Sequence, residues 1–206
     1  MPVTLDLAPL GGAPALVYLD LEGDTLQSLA PLGSVPTLRE LVVRSGTVIE
    51  PASIGAGTSL QSLDATGVFD DAAPLASLTE LQKLRIGHGG LANFSALSSL
   101  TKLKYLDAQR SGVVDITAVA SMTKLENINL NGNQISDVGP LGALPDLNIV
   151  VLVDNQIGDV APLAGNLGLG AGDFVYLGKN PFSCATEATH LQALAGRGAD
   201  VISDCP

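Results

Sequence analysis

Leu125-Glu-Asn-Ile128-Asn-Leu130-Asn-Gly-Asn133-Gln-Ile135-Ser-Asp137-Val-Gly-Pro140-Leu141 is the clearest copy of a phrase that the chain repeats. Its opening leucine recurs as Leu16, Leu38, Leu60, Leu81, Leu103, Leu125 and Leu147, every 22 residues with one interval of 21. A period of this length marks a solenoid, in which no unit can bury its apolar side alone and each stacks on its neighbours. Apolar residues also fill the fourth place (Leu19, Leu41, Leu63, Leu84, Leu106, Ile128, Val150) and the sixth (Leu21, Val43, Ala65, Ile86, Ala108, Leu130, Leu152). Successive strand side chains point to opposite faces, so this alternation predicts a short strand per unit with stacked inward columns.

The ninth place is Asn133, Asn155 and Asn180 in the later units. An inward asparagine there can bond the backbone of the next turn where the strand ladder ends. Asp24, Gly46, Gly89 and Ser111 stand there earlier, so that half is expected to be less tightly tied. Asp115, Asp137 and Asp159 each precede a short apolar stretch and are read as capping a 3₁₀ turn or very short helix. Residues 2–15 overlay residues 133–146 without a gap, Asp6 on Asp137 and Pro9 on Pro140, and are read as a partial repeat. Seven repeats over 16–171 follow, then a last strand and C-terminal cap over 172–206. The whole chain, 1–206, is read as a single domain. Within the cap, Thr186–Ala195 has helical spacing of Ala188, Leu191 and Leu194, stopped by Gly196 and Gly198.

The 206 residues are 46% hydrophobic, enough for a long thin core of Leu, Val, Ile and Ala. A net charge of −11 argues against nucleic-acid binding. No apolar run approaches the ~20 residues that span a bilayer, so membrane insertion is not expected. No leader follows Met1; a secreted form would have its leader removed or outside this sequence. His88 and His190 are far apart without metal-ligand spacing, so no metal is expected and His88 is read as a surface residue. There is no G-x-S-x-G or phosphate loop, and the glycines at 168, 170 and 172 read as an inter-repeat loop. Asn93-Phe94-Ser95 fits a glycosylation acceptor, but its Phe has the pattern of a core residue.

The 22-residue unit with its I-x-D-V/I-x-P-L phrase resembles the bacterial internalin-like class of leucine-rich-repeat proteins, over residues 2–180. Asn180–Cys205 resembles the cysteine-closed C-terminal cap of secreted bacterial members. The resemblance implies an α/β solenoid: an arc with a parallel β-sheet on its concave face and short 3₁₀ or α turns on its convex face. It also implies protein recognition without enzyme activity or cofactor. The chain departs from the class in the short repeat from Leu60 to Leu81, a poorly formed outer segment at Ile49–Thr58, and the lack of a recognisable N-terminal cap.

Cys184 and Cys205 are the only cysteines. Bridged, they would close the cap, stabilise by about 3 kcal/mol and point to an oxidising compartment, hence an extracellular or cell-surface protein. The other reading is two reduced thiols in the cytosol.

In the family's geometry, places two, three, five, seven and eight face the concave side or its edges. Tyr18, Tyr105, Tyr176 and Phe174 fall there, whereas Phe69, Phe94 and Phe182 take core-like places. So do His88 and seven of the ten basic residues, Arg39, Arg44, Lys83, Arg85, Lys104, Arg110 and Lys179. The acidic residues at these places are Asp20, Glu22, Glu40, Asp64, Asp107, Glu126, Asp154 and Asp173. The expected surface has a basic middle between acidic ends, suited to a protein partner with an acidic patch. Cross-strand salt bridges are the competing reading of the charges, and sheet propensity that of the tyrosines. The expected function is a non-enzymatic protein-binding module. The alternatives are a structural or adhesive segment that self-associates through an uncapped N-terminal edge, and carbohydrate binding through Tyr18, Tyr105 and Tyr176.

Overall fold

The computed structural model describes residues 4–23, 25–44, 47–56 and 59–205, without the side chains of residues 22, 47, 49, 55 and 56. The strands are β1 (Thr4–Leu5), β2 (Tyr18–Glu22), β3 (Thr25–Ser28), β4 (Glu40–Arg44), β5 (Thr47–Glu50) and β6 (Ser62–Asp64). There follow β7 (Lys83–Arg85), β8 (Tyr105–Asp107), β9 (Asn127–Asn129), β10 (Ile149–Val151), β11 (Phe174–Tyr176) and β12 (Asp200–Ile202). Nine of them form one parallel sheet in the order β12-β11-β10-β9-β8-β7-β6-β4-β2. Each strand pairs with the equivalent strand of the next unit, Leu41 opposite Leu63, Leu63 opposite Leu84, Leu84 opposite Leu106 and Leu106 opposite Ile128.

The stacked columns are the core. From Leu38 to Leu152 the residues at places one, four and six are all buried. Each such aliphatic contributes roughly 1.5–3 kcal/mol before chain entropy is subtracted. The first rung is looser: Leu16 and Leu19 are only partly buried. Phe69 and Phe94 are buried and Phe182 packs on the core.

On the outer side most units make one 3₁₀ turn, such as Ala73–Ser77, Thr117–Ser121 and Gly139–Leu141. The seventh makes the single α-turn α1 (Ala161–Gly165). The carboxylates of Asp115, Asp137 and Asp159 accept the N–H of Thr117, Gly139 and Ala161 at 2.7–2.8 Å. Asp6 accepts from Ala8 at 2.9 Å and Asp71 from Ala73 at 2.8 Å. These aspartates therefore serve as a recurring backbone cap, and Asp6 does what its overlay on Asp137 predicts.

The outer face also differs from the expectation of turns alone. β1, β3 and β5 form a second, three-stranded parallel sheet, with Thr4 opposite Thr25 and Thr25 opposite Thr47. Ile49–Glu50 ends β5 and Pro51–Ala56 makes a six-residue 3₁₀ turn, so the segment expected to be poorly formed is ordered through Ala56. Its end at Thr58, with Asp24, Gly46 and residues 2–3 of the partial repeat, lies outside the described residues. Alternating Thr/Leu and Thr/Val pairs favour strand there. In the later units the same ladder shrinks to single bonds, Gln134 N–H to Val113 O and Gln156 N–H to Ile135 O.

Asparagines take over as the outer strands fade. Asn133 Oδ1 accepts the N–H groups of Ser111 and Val113, both at 3.0 Å, and its Nδ2 donates to Ala108 O and Leu130 O. Asn155 binds Ile135 N–H and the carbonyls of Leu130 and Leu152. Asn180 repeats the pattern with Ile157, Leu152 and Leu177. Ser111 instead donates within its own rung, to Gln109 O. In the early units the backbone pairing of β1, β3 and β5 ties the outer side together.

The cap is α2 (Cys184–Gly196) followed by β12, which extends the large sheet. Cys184 and Cys205 form a disulfide. Arg197 donates to the carbonyls of Leu169, Ala164 and Asn166 at 3.0, 2.9 and 3.1 Å, satisfying the loop that ends the last repeat. Asn166, buried, donates to Leu141 O and Leu144 O and ties that loop to the preceding unit.

Two stability predictions follow from these ties. Asn133→Ala orphans two N–H groups and the Ala108 carbonyl, so denaturant melts should show a loss of at least about 3 kcal/mol. Replacing both cysteines by serine frees a cross-link of sequence separation 21 and should cost about 3 kcal/mol in the chain-entropy model. Hydrogen exchange should show that loss concentrated in α2 and β12.

Candidate functional site

Two outward columns pave the concave sheet. One runs Tyr18, Glu40, Ser62, Lys83, Tyr105, Asn127, Ile149, Phe174 and Asp200. The other runs Asp20, Val42, Asp64, Arg85, Asp107, Asn129, Val151, Tyr176 and Ile202. Register thus makes side chains about 22 residues apart into neighbours, roughly 4.8 Å from strand to strand.

The basic residues of the middle do not stand as an open stripe. Arg44 donates to Asp64 Oδ2 through Nε at 3.0 Å and Nη2 at 2.6 Å, and Arg85 Nη1 lies 3.6 Å from the same oxygen. Asp64 is buried, and Thr66 Oγ1 donates to its other oxygen. Burial pushes its carboxyl up, but the Arg44 and Thr66 hydrogen bonds and the charges of Arg44 and Arg85 outweigh burial and hold it below the usual carboxylate range. Lys104 pairs with Glu126 at 3.0 Å. Cross-strand salt bridging thus engages Arg44, Arg85 and Lys104, half of the six basic residues in that region. Arg39 curls back to the carbonyls of Pro36 and Leu38.

Lys83, Arg85 and Tyr105 form one cluster. The Lys83 Nζ lies 5.6 Å and the Arg85 guanidinium 5.2 Å from the centre of the Tyr105 ring, and Arg85 Nη2 lies 3.4 Å from its hydroxyl. Both contacts are of cation–π type, from two cations of the neighbouring strand β7. Phe174 and Tyr176 form a second group, their rings 6.3 Å apart and nearly parallel. Tyr18 lies at the first rung, its hydroxyl donating to Asp20 at 3.0 Å.

His88 and Arg110 are at the edge, not on the strands. Place eight has positive φ in Gly23, Gly67, His88, Arg110, Gly132, Asp154 and Lys179, and this left-handed residue turns the chain off the sheet in each of these units. Glycine takes such a backbone freely, whereas His88, Arg110 and Lys179 take it at a cost of about 1 kcal/mol or more.

Sequence reasoning found Phe174 and Tyr176 but missed the apolar band that Ile149, Val151 and Ile202 complete. Ile149, Val151, Phe174, Tyr176 and Ile202 lie side by side on the last three strands of the concave face. Ile149 and Ile202 are 40% and 45% exposed. Tyr105, Asn127, Asn129, Ile149 and Val151 frame a shallow depression of about 300 Å³ between this band and the basic cluster. The signal was present: at places three and five the polar residues of earlier units give way to Ile149, Val151, Phe174 and Tyr176.

A sequence model of leucine-rich repeats in two copies matches residues 123–165. Comparison with curated proteins finds no match. Among solved structures, the internalin inlF of Listeria monocytogenes is 27% identical, with a TM-score of 0.81 over 98% of this chain and 57% of that one. This chain therefore spans little more than half of inlF. Internalin C2 of the same organism is 34% identical, with a TM-score of 0.67 over 74% of this chain and 68% of that one. The HAESA receptor-kinase ectodomain of Arabidopsis, in complex with a peptide hormone ligand, shares the fold at 21% identity and a TM-score of 0.71, over 87% of this chain and 32% of its own. With its repeat, its disulfide-closed cap and 34% identity to internalin C2, the chain belongs to the internalin-like family of leucine-rich-repeat proteins.

Proposed function

We propose that this chain is a non-enzymatic recognition module of a bacterial cell surface or secreted protein, and that it binds a partner protein through the concave sheet. The observation that carries this reading is the band of Ile149, Val151, Phe174, Tyr176 and Ile202, left uncovered on a face whose other side chains are mostly polar or charged. Contiguous exposed apolar side chains with a polar rim are the anatomy of a protein interface, and tyrosines and aliphatics there act as anchors. Asn127, Asn129 and Tyr105 supply hydrogen-bonding groups along one margin. The Lys83–Arg85–Tyr105 cluster extends the surface toward a partner with acidic residues. Its charges are already partly compensated, so they set encounter rate and orientation more than affinity. The disulfide and the internalin relatives support an extracellular setting. Likewise, the HAESA complex supports peptide or protein as the ligand class for this fold.

A second reading, a segment of a larger adhesive or self-assembling array, rests on β2 at the end of the sheet. There Val17 and Tyr18 are 51% and 52% exposed. Light scattering separates the two: concentration-dependent oligomers that Val17→Lys abolishes would favour assembly.

Screening the chain against a panel of extracellular protein ectodomains tests the main reading. A specific binder should lose about 30-fold or more in affinity with Tyr176→Ala or Ile149→Asp. Arg85→Glu with Lys104→Glu should slow association, and Lys124→Ala, away from the concave columns, should change nothing. Binders unaffected by both Tyr176→Ala and Ile149→Asp would refute the concave site.

A further inference from the structure

We infer that Asp159, Glu187 and His190 form a binding site for a divalent first-row transition-metal ion at the joint between the last repeat and the C-terminal cap. Asp159 precedes α1, while Glu187 and His190 lie three residues apart on α2. Glu187 and His190 are close in sequence, and the fold adds Asp159 from 28 and 31 positions away, so the third ligand could not be read from spacing alone. One ligand-capable atom from each residue lies within 4.8 Å of the other two. His190 Nδ1 and Glu187 Oε2 are already 2.8 Å apart. Metal–ligand bonds of about 2.0–2.2 Å put neighbouring donor atoms roughly 3–3.5 Å apart, so binding would displace the proton that Glu187 and His190 share and draw the three donors together around the ion.

The carboxylates are also oriented as metal ligands are. Asp159 Oδ1 accepts the Ala161 N–H at 2.7 Å and Glu187 Oε2 accepts the Val160 N–H at 3.1 Å. Both donors belong to the start of α1, so one rigid turn holds both acids. Such supporting bonds fix ligand direction in metal sites. Glu-x-x-His on one helix face is a spacing that carboxylate-rich metal proteins use, because residues three apart share a face. Glu187 is buried whereas Asp159 is exposed, which gives a buried anchor and a solvent-facing side for ion entry and water ligands. Two carboxylates and a neutral imidazole carry a formal charge of −2, matched by a divalent cation. The imidazole favours zinc, copper or nickel over magnesium or calcium. An ion here would clamp α2 to the last repeat, on the same junction that Arg197 and the disulfide secure.

The test uses the full, untagged, disulfide-bonded chain titrated with zinc chloride by calorimetry. The expected result is saturable binding of one zinc ion per chain, reversed by a chelator, with hydrogen-exchange protection rising in α1 and α2. His190→Gln and Asp159→Asn should each weaken binding by about tenfold or more, and His88→Gln should leave it unchanged. Asp159→Asn keeps an oxygen for the Ala161 N–H, so it reports on the ion even where His190→Gln disturbs the cap. No saturable binding, or binding that survives Asp159→Asn undiminished, would overturn the site and leave the three groups as a contact between cap and repeat.

Discussion

Every rung of this protein depends on the rung beside it, because a strand of three to five residues with a tight outer turn cannot enclose its own leucines. In-register stacking is the only way to cover places one, four and six, and it fixes everything else. Once Leu63, Leu84, Leu106 and Ile128 are aligned, the outward side chains between them are aligned too. A surface residue here has its strand neighbours 20-odd positions away in sequence. The concave face is therefore composed column by column, and one substitution per unit suffices to change its character. That is how it passes from Lys83 and Arg85, through the amides Asn127 and Asn129, to Ile149, Val151, Phe174 and Tyr176.

The same stacking decides which charges count. Counted along the chain, the middle of the concave face is rich in cations. Laid side by side, Arg44 and Arg85 converge on a buried Asp64, and Lys104 reaches Glu126. A buried carboxylate stays ionised only with such company, so these arginines stabilise Asp64 as much as they colour the surface. What remains distinctive is apolarity: a tyrosine contacted by two cations beside an uncovered aliphatic patch.

The parts legible in the sequence were those imposed by the period. The 22-residue leucines foretold a strand per unit with stacked inward columns, the asparagines their buried bonds to neighbouring rungs, and Asp115, Asp137 and Asp159 their capping of outer turns. Contacts made by a single residue, with no repetition to announce them, stayed hidden. Arg197 spans three carbonyls from beyond the array, and Asn166 bridges two units from a loop. The outer sheet of β1, β3 and β5 escaped because Thr-Leu and Thr-Val pairs sit where later units place loops. The apolar band lay in plain alternation, yet aliphatics in strands read as ordinary sheet formers until register set them side by side.

The first and last rungs described are held unequally. Beyond β11, a covalent link, a guanidinium on three carbonyls and a thirteen-residue helix all close over the last leucines. At the other extreme Leu16 and Leu19 are only partly covered, and the asparagine spine does not reach that far. In a one-dimensional stack, cohesion is local, so tension or heat acts first where the rungs grip least. Within these residues, detachment would then proceed as a zipper with a direction, from the rung of Tyr18 toward the cap. The band of Ile149, Phe174 and Tyr176 would be among the last parts to come apart.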